Sequence, residues 1–447
     1  MAQLTAGELG RKLVHMAVGG IAFAVRPLGL WGSLAAATAA IVHNLFLFPL
    51  YGGRRLWRAH EAERGRALGI VLYPVAVLLL LVAFHARLEV AAAAWGILAF
   101  GDGMASLVGM SLGGTNPLPW NGRKSWVGTA AYTLFGGIGA TLLLVWTAPG
   151  TYSLPFALAI AFATALVAAL LESQAQGLDD NLGVPLVAGL LLYCLTMTAG
   201  HWGVVASGGF ARAAALGVAV NVVLAAAAWR TGGVGRAGAI VGVLLGSTIW
   251  AFAGWQGFLL LFVFFVLGTA ATKLGYAAKA AAGIAQEKGG RRGPGNALSK
   301  TSVPAAAALF AATTGRPTLF LLALAGAFAT AAADTVSSEV GKAYGRRTFL
   351  ITTLRSVPRG TDGAVSLEGT LAGLLAALVV GAIGAACGLY PGSGVVAVVA
   401  AAMVATTAES VVGATLEKRG LLDNDAVNFL CSLAGALVAA FAAPLVA

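Results

Sequence analysis

The chain is a succession of long apolar runs, each bounded by glycine, proline or charge. They cover 29–50, 68–86, 88–110, 126–147, 155–171 and 183–200, and then 210–229, 237–253, 255–271, 303–314, 318–334, 366–388, 394–413 and 426–446. Several approach the ~20 residues that a helix needs to cross the hydrocarbon of a bilayer. A weaker run, Leu13 to Val25, follows the basic pair Arg11 and Lys12 and reads as a short span. Alternation with a period of two over about ten residues, the mark of a transmembrane barrel strand, is missing, so helices must satisfy the backbone internally. The pattern predicts an all-α, polytopic integral membrane protein of about 15 spans.

Composition agrees with the pattern. The 447 residues are 59% hydrophobic and 10% charged, with mean hydropathy +0.87, which excludes a soluble domain with a water-facing surface. The N-terminus does not read as a signal peptide, because its apolar stretch is interrupted at Arg26 and lacks a clear cleavage site. Cys194, Cys387 and Cys431 lie in apolar runs without paired spacing, so neither a disulfide framework nor a zinc site is indicated. The net charge of +11 gathers in alternate loops: Arg54 to Arg66, Arg123 and Lys124, Lys273 to Lys300, Lys342 to Arg359, and Lys418 with Arg419. The positive-inside rule puts these loops in the cytoplasm, and the charge needs no nucleic-acid partner.

Two halves of the chain carry matched blocks in the same order. "GDGMASLVG" (Gly101 to Gly109) has a counterpart in "ADTVSSEVG" (Ala333 to Gly341), "KSWVGT" (Lys124 to Thr129) in "VSLEGT" (Val365 to Thr370), and "LESQAQGLDDN" (Leu171 to Asn181) in "AESVVGATLEKRGLLDND" (Ala408 to Asp425). The reading is two tandem repeats, with domains at 1–205 and 230–447 joined by an extra span at 206–229. Seven spans per copy plus the extra one make the repeats parallel, so that both sets of polar loops face the cytoplasm. Inverted repeats, common in transporters, do not follow from this count.

Asp102 is an acid inside an apolar run, where an ionisable group is costly and is usually retained for function; the plainer alternative is a cap on a broken helix. Beside the next helix start lie Arg123, Lys124, Ser125 and Thr129. An acid at a helix end with cations and a glycine-flanked hydroxyl suits phosphoryl transfer, although Arg123 and Lys124 would also mark a cytoplasmic boundary. The P-loop spacing is not met. In the second half, Lys273, Lys279, Lys288, Arg291 and Arg292 share a segment with a glycine-rich tail, a phosphate site or a lipid-headgroup anchor. Arg355 and Arg359 precede the second "SLEGT".

With "RKLVH", "FGDGMASLVG", "NGRKSWVGT" and "ESQAQGLDDN", the first half resembles the phytol kinase and dolichol kinase family of CTP-dependent polyprenol kinases. The second half, with "TKLGYAAK", "GGRRGPGN", "ADTVSSEVG", "VPRGTDGAVSLEGT" and "LDNDAVNFL", is similar to the integral-membrane family that includes plant phytyl-phosphate kinase. The resemblance implies a bifunctional enzyme of a bacterial inner membrane, with active sites facing the cytoplasm. It would use CTP and Mg²⁺ or Mn²⁺ to phosphorylate an isoprenoid alcohol such as phytol to the monophosphate and then to the diphosphate. In the first copy Asp102 would ligate the metal, Arg123 and Lys124 would hold phosphates with Ser125 and Thr129 nearby, and Glu172, Asp179 or Asp180 would be metal ligands or the base. In the second, Asp334, Glu339, Glu409 and Asp423 would serve the metal, and Lys273, Lys279, Arg291, Arg292, Asn296, Arg355 and Thr370 the phosphates. A CTP-dependent lipid cytidylyltransferase and a transporter of an anionic lipid or organic phosphate are the alternatives.

Overall fold

The computed structural model describes residues 6–51, 68–112, 116–174, 180–286 and 291–446, with the side chains of 6–8, 68 and 180 excepted. Helices overlie every apolar run, and the protein is all-α, with two short hairpins among the described residues. By length and composition, ten helices among the described residues can cross a membrane. The difference from about 15 lies partly in how runs join. The runs 237–253 and 255–271 form one helix, Arg236–Lys273, broken only at Gly254, whose φ of 68° and ψ of −175° leave the helical region. Glycine adopts that conformation without a Cβ penalty. Gly29, at φ 61°, breaks the Leu9–Leu47 span in the same way. Two further apolar helices, Gly69–Ala83 and Asn181–Thr196, are shorter.

The chain forms two compact units, Met1–Ala199 and Gly200–Ala447. The first contains α1 (Ala6–Gly20), α2 (Val25–Val42), α3 (Leu68–Ala83), α4 (Leu88–Gly96), a π-helical turn (Ile97–Asp102) and α5 (Gly103–Leu112). Strands β1 (Pro117–Leu118) and β2 (Asn121–Ser125) follow, then α6 (Trp126–Thr147), α7 (Leu154–Gln174) and α8 (Asp180–Thr196). Helix α6 packs on α4, α5, the π turn and α7. Close approach depends on small residues: a Cβ on Gly96 would come within 2.5 Å of Leu143, one on Gly139 within 2.4 Å of Phe100, and one on Gly101 within 2.7 Å of Tyr132. Lipid tails are as apolar as the side chains, so such packing takes the place of a hydrophobic drive between helices.

The second unit contains α9 (Gly208–Arg230), α10 (Arg236–Lys273), α11 (Tyr276–Ala281), α12 (Pro294–Thr313), α13 (Pro317–Tyr344), strands β3 (Thr348–Leu350) and β4 (Ala364–Ser366), α14 (Leu367–Ala386), α15 (Gly394–Val412), α16 (Asn424–Phe441) and α17 (Ala443–Val446). Helix α13 is the centre: it packs on α10, α12, α14, α15 and α16, and every residue from Leu322 to Ala333 is buried. That stretch is mostly alanine, which lets five neighbours surround one helix. The interior is sealed where Gly326 meets Gly435 and Ala439, and where Gly435 meets Thr330.

Candidate functional site

In each unit an antiparallel hairpin leads into a helix whose first turn is capped by the hairpin's last serine. Ser125 Oγ accepts from Gly128 N at 3.1 Å, and Ser366 Oγ accepts from Gly369 N at 3.1 Å. The capped turn lies against the helix carrying the acid. A Cβ on Gly109 would stand 3.5 Å from Gly128 Cα, and one on Gly369 would stand 3.4 Å from Gly341 Cα. The glycines closing "GDGMASLVG" and "ADTVSSEVG" are therefore the contacts that admit the glycines of "KSWVGT" and "VSLEGT". Ser125 and Thr129, whose Oγ1 donates to Ser125 O at 3.2 Å, are engaged in this cap.

Asp102 ends the π turn, the kind of local widening that recurs at functional sites. Its carboxylate accepts from Lys12 Nζ at 3.0 and 2.8 Å, and His15 Nε2 stands 3.6 Å away while contacting Leu98 O at 3.3 Å. His15 also packs edge-on against Tyr73, whose hydroxyl accepts from Trp95 Nε1 at 2.8 Å. Lys124, on β2, pairs with Glu172 at the end of α7. Trp120 and Asn121 fasten the hairpin to that same helix end, through Ser173 Oγ at 3.1 Å and Ser173 O at 2.9 Å. Arg123 is exposed. Asp179 and the side chain of Asp180 lie outside the described residues.

In the second unit Lys300 Nζ donates to Asp334 at 2.6 Å and to Thr335 Oγ1 at 2.9 Å. The pair opens into a cavity of about 360 Å³, also lined by Arg292, Asn296, Asp362, Thr370 and Glu409. Five of the residues singled out from the second half, Arg292, Asn296, Glu339, Thr370 and Glu409, thus join Asp334 at one cavity. Others do not. Lys279 and Glu339 form a buried ion pair, in which Lys279 Nζ also donates to Thr272 O at 2.9 Å and Ala271 O at 3.3 Å, so the lysine closes the C-terminus of α10. Glu339 borders the cavity from within that pair. Asp423 is the N-cap of α16, accepting from Ala426 N at 2.8 Å, and Lys273, Arg291 and Arg355 are exposed away from the cavity lining.

Lys12 and Lys300 were not singled out in the sequence, although Lys12 stands in "RKLVH". The available signal was their location at the start of a span, where a lysine more often marks the membrane boundary. Among the described residues no three His, Cys, Asp or Glu side chains stand together as a metal-holding group. Mg²⁺ keeps several waters and takes only one or two carboxylates plus substrate phosphates, and the carboxylates of Asp334 and Glu409 with the neighbouring hydroxyls fit that sparser demand.

Apolar helices of spanning length, packed through small residues around ion pairs, define an integral membrane protein. Residues 219–436 match the family described as integral membrane protein DUF92, and the chain belongs to that family. It is 46% identical over 199 residues to an uncharacterized membrane protein of Synechocystis, covering 44% of this chain and 77% of the relative. It is 40% identical over 214 residues to the chloroplastic protein VTE6 of Arabidopsis thaliana, covering 46% of this chain and 64% of that one. A phytol kinase of Synechocystis is 30% identical over 199 residues, covering 42% of this chain and 80% of the relative. No solved structure matches.

Proposed function

We propose that the protein is a bifunctional isoprenoid kinase, built of two parallel tandem copies, which phosphorylates a prenyl alcohol such as phytol in the first unit and the resulting monophosphate in the second. What carries this reading is that each unit has a Lys–Asp pair whose acid lies within a spanning helix packed against a serine-capped helix start. The likeness to a phytol kinase supplies the reaction class. Each relative aligns with less than half of this chain, which leaves room for two kinase units.

In the first unit the alcohol lies in the bilayer with its hydroxyl at the cytoplasmic face. Its oxygen attacks the γ-phosphorus of CTP, the bond to the β–γ bridging oxygen breaks, CDP leaves, and the hydroxyl proton passes to a base. In the second unit an oxygen of the monophosphate attacks in the same way, and its dianion has no proton to give up. Lys12 and Lys300 hold Asp102 and Asp334 in place, and the free donors of the capped helix starts offer N–H groups to phosphate oxygens. Asp102 and Asp334 would hold Mg²⁺, which would supply charge neutralisation on the nucleotide phosphates. The CTP preference rests on the family resemblance alone.

The test is purified protein in liposomes with labelled CTP and phytol, geranylgeraniol or farnesol. Asp334→Asn should accumulate monophosphate, and Asp102→Asn should block the alcohol yet still convert added monophosphate, each loss being on the order of 10² to 10⁴ in rate. If both folded variants lose both steps, the units form one composite site and the two-kinase reading fails. Release of pyrophosphate in place of CDP would mark a cytidylyltransferase.

A further inference from the structure

We propose that Arg292, Asn296 and Lys300 form the acceptor subsite of the second unit, reading the phosphate of a lipid monophosphate so that this cavity takes an anionic acceptor and not an alcohol. The inference rests on the kinase reading above and names which of its cations holds which substrate.

The three residues recur at intervals of four along the segment entering α12, and all line the same cavity. Arg292 is held at both of its main-chain atoms: its N donates to Gly233 O at 3.1 Å, and its O accepts from Gly235 N at 3.1 Å. Its guanidinium lies over the faces of Phe264, at 5.1 Å, and Phe265, at 5.9 Å. It occupies a slot in α10 that exists because residue 268 is glycine; a Cβ there would stand 2.1 Å from Nη2. Arg292 as a whole is half-buried and lines the cavity.

Among the described residues no carboxylate reaches ion-pair distance of Arg292, although Lys300 beside it is paired with Asp334. Burial pushes the Arg292 guanidinium down to about 10, with Glu339 and Asp334 pulling the other way, so it remains a cation at neutral pH. A positioned, half-buried cation without its own counter-ion is costly to keep, and a planar fork of donors matches two oxygens of a phosphate. Helix α12 begins beside it with Gly293 as N-cap and no side-chain cap, which leaves main-chain donors at the same place.

The cation set suits an acceptor that arrives with two negative charges and must approach a nucleotide bearing more.

The experiment compares wild type, Arg292→Gln and Arg292→Lys as full-length protein in liposomes. It reads KM for prenyl monophosphate, KM for CTP, and the rate of alcohol phosphorylation. Arg292→Gln should raise the monophosphate KM by on the order of tenfold to a hundredfold, with CTP KM within about twofold and the alcohol step unchanged; Arg292→Lys should fall between. A rise in CTP KM with monophosphate KM unmoved would overturn the proposal in favour of a nucleotide contact. An equal fall in both steps would reduce Arg292 to a structural role. A second arm measures thermal stabilisation by prenyl monophosphate without nucleotide. Stabilisation that disappears in Arg292→Gln sustains the subsite even if wild type transfers no phosphate, a result that would sink the kinase reading alone. Absence of stabilisation in wild type, with both steps intact in Arg292→Gln, would sink the subsite alone.

Discussion

Replacing Lys279 by methionine removes one half of an ion pair whose side chains are 1% and 4% exposed. Three acceptors lose their donor at once: the Glu339 carboxylate and the carbonyls of Ala271 and Thr272 at the end of α10. Leaving a buried charge unmatched costs about 3–5 kcal/mol, much of it from the partner left behind rather than from the lost attraction. For a unit of this size that is a fall on the order of 10 °C in unfolding temperature. Replacing both residues, as in Lys279→Met with Glu339→Met, removes the stranded carboxylate and leaves only the unmet carbonyls, worth roughly 1–3 kcal/mol. The double variant should therefore unfold several degrees above the single one, although it carries more changes. Thermal unfolding of the purified proteins in detergent micelles makes the comparison. A single variant within about 2 °C of wild type, or a double variant no better than the single, would refute the reading of this pair as a structural tie and return Glu339 to the metal.

Ser125→Ala and Ser366→Ala should each cost about 1 kcal/mol as lost helix caps and leave CTP KM unchanged; a tenfold rise would make the hydroxyls ligands after all. Gly268→Leu should displace the Arg292 guanidinium and abolish monophosphate phosphorylation while the alcohol step continues, so equal loss of both would count against the slot. EDTA should stop both steps, and turnover that survives it would remove the metal role from Asp102 and Asp334. Cysteines placed at Ser125 and Asp362 should be labelled from the same side of the membrane; opposite sides would break the parallel arrangement of the units.

The helices were legible because a bilayer imposes one rule on every span, and each apolar run carries that rule locally. Where runs join was not, since a glycine between them is equally compatible with a loop or with the kink found at Gly254. Asp102 stood out as an acid in apolar surroundings and Asp334 as its counterpart in the matched block, whereas their partners did not. Lys12 lies 90 positions from Asp102, and only packing brings them together. Lys279 and Arg292 come from one basic segment and look alike in sequence. One ends in an ion pair under α13, the other in the cavity, and the choice is made by Glu339 and by the absent side chain at Gly268. The cap residue Asp423 read as a candidate ligand because sequence shows an acid but not the helix start it closes.

The two Lys–Asp pairs differ in how much chain separates them, and this bears on the order in which the protein is made. Lys300 and Asp334 sit on α12 and α13, consecutive helices joined by a short turn, 34 positions apart. Their charges can neutralise each other as soon as those two helices have left the ribosome and packed together. Lys12 must instead wait while α2, α3 and α4 are synthesised before Asp102 arrives. Domains emerge N-terminus first at roughly 5–20 residues per second, so the first unit spends several seconds with an unmatched lysine beside lipid. Assembly of that unit, more than of the second, should therefore depend on the insertion machinery sheltering its first helix.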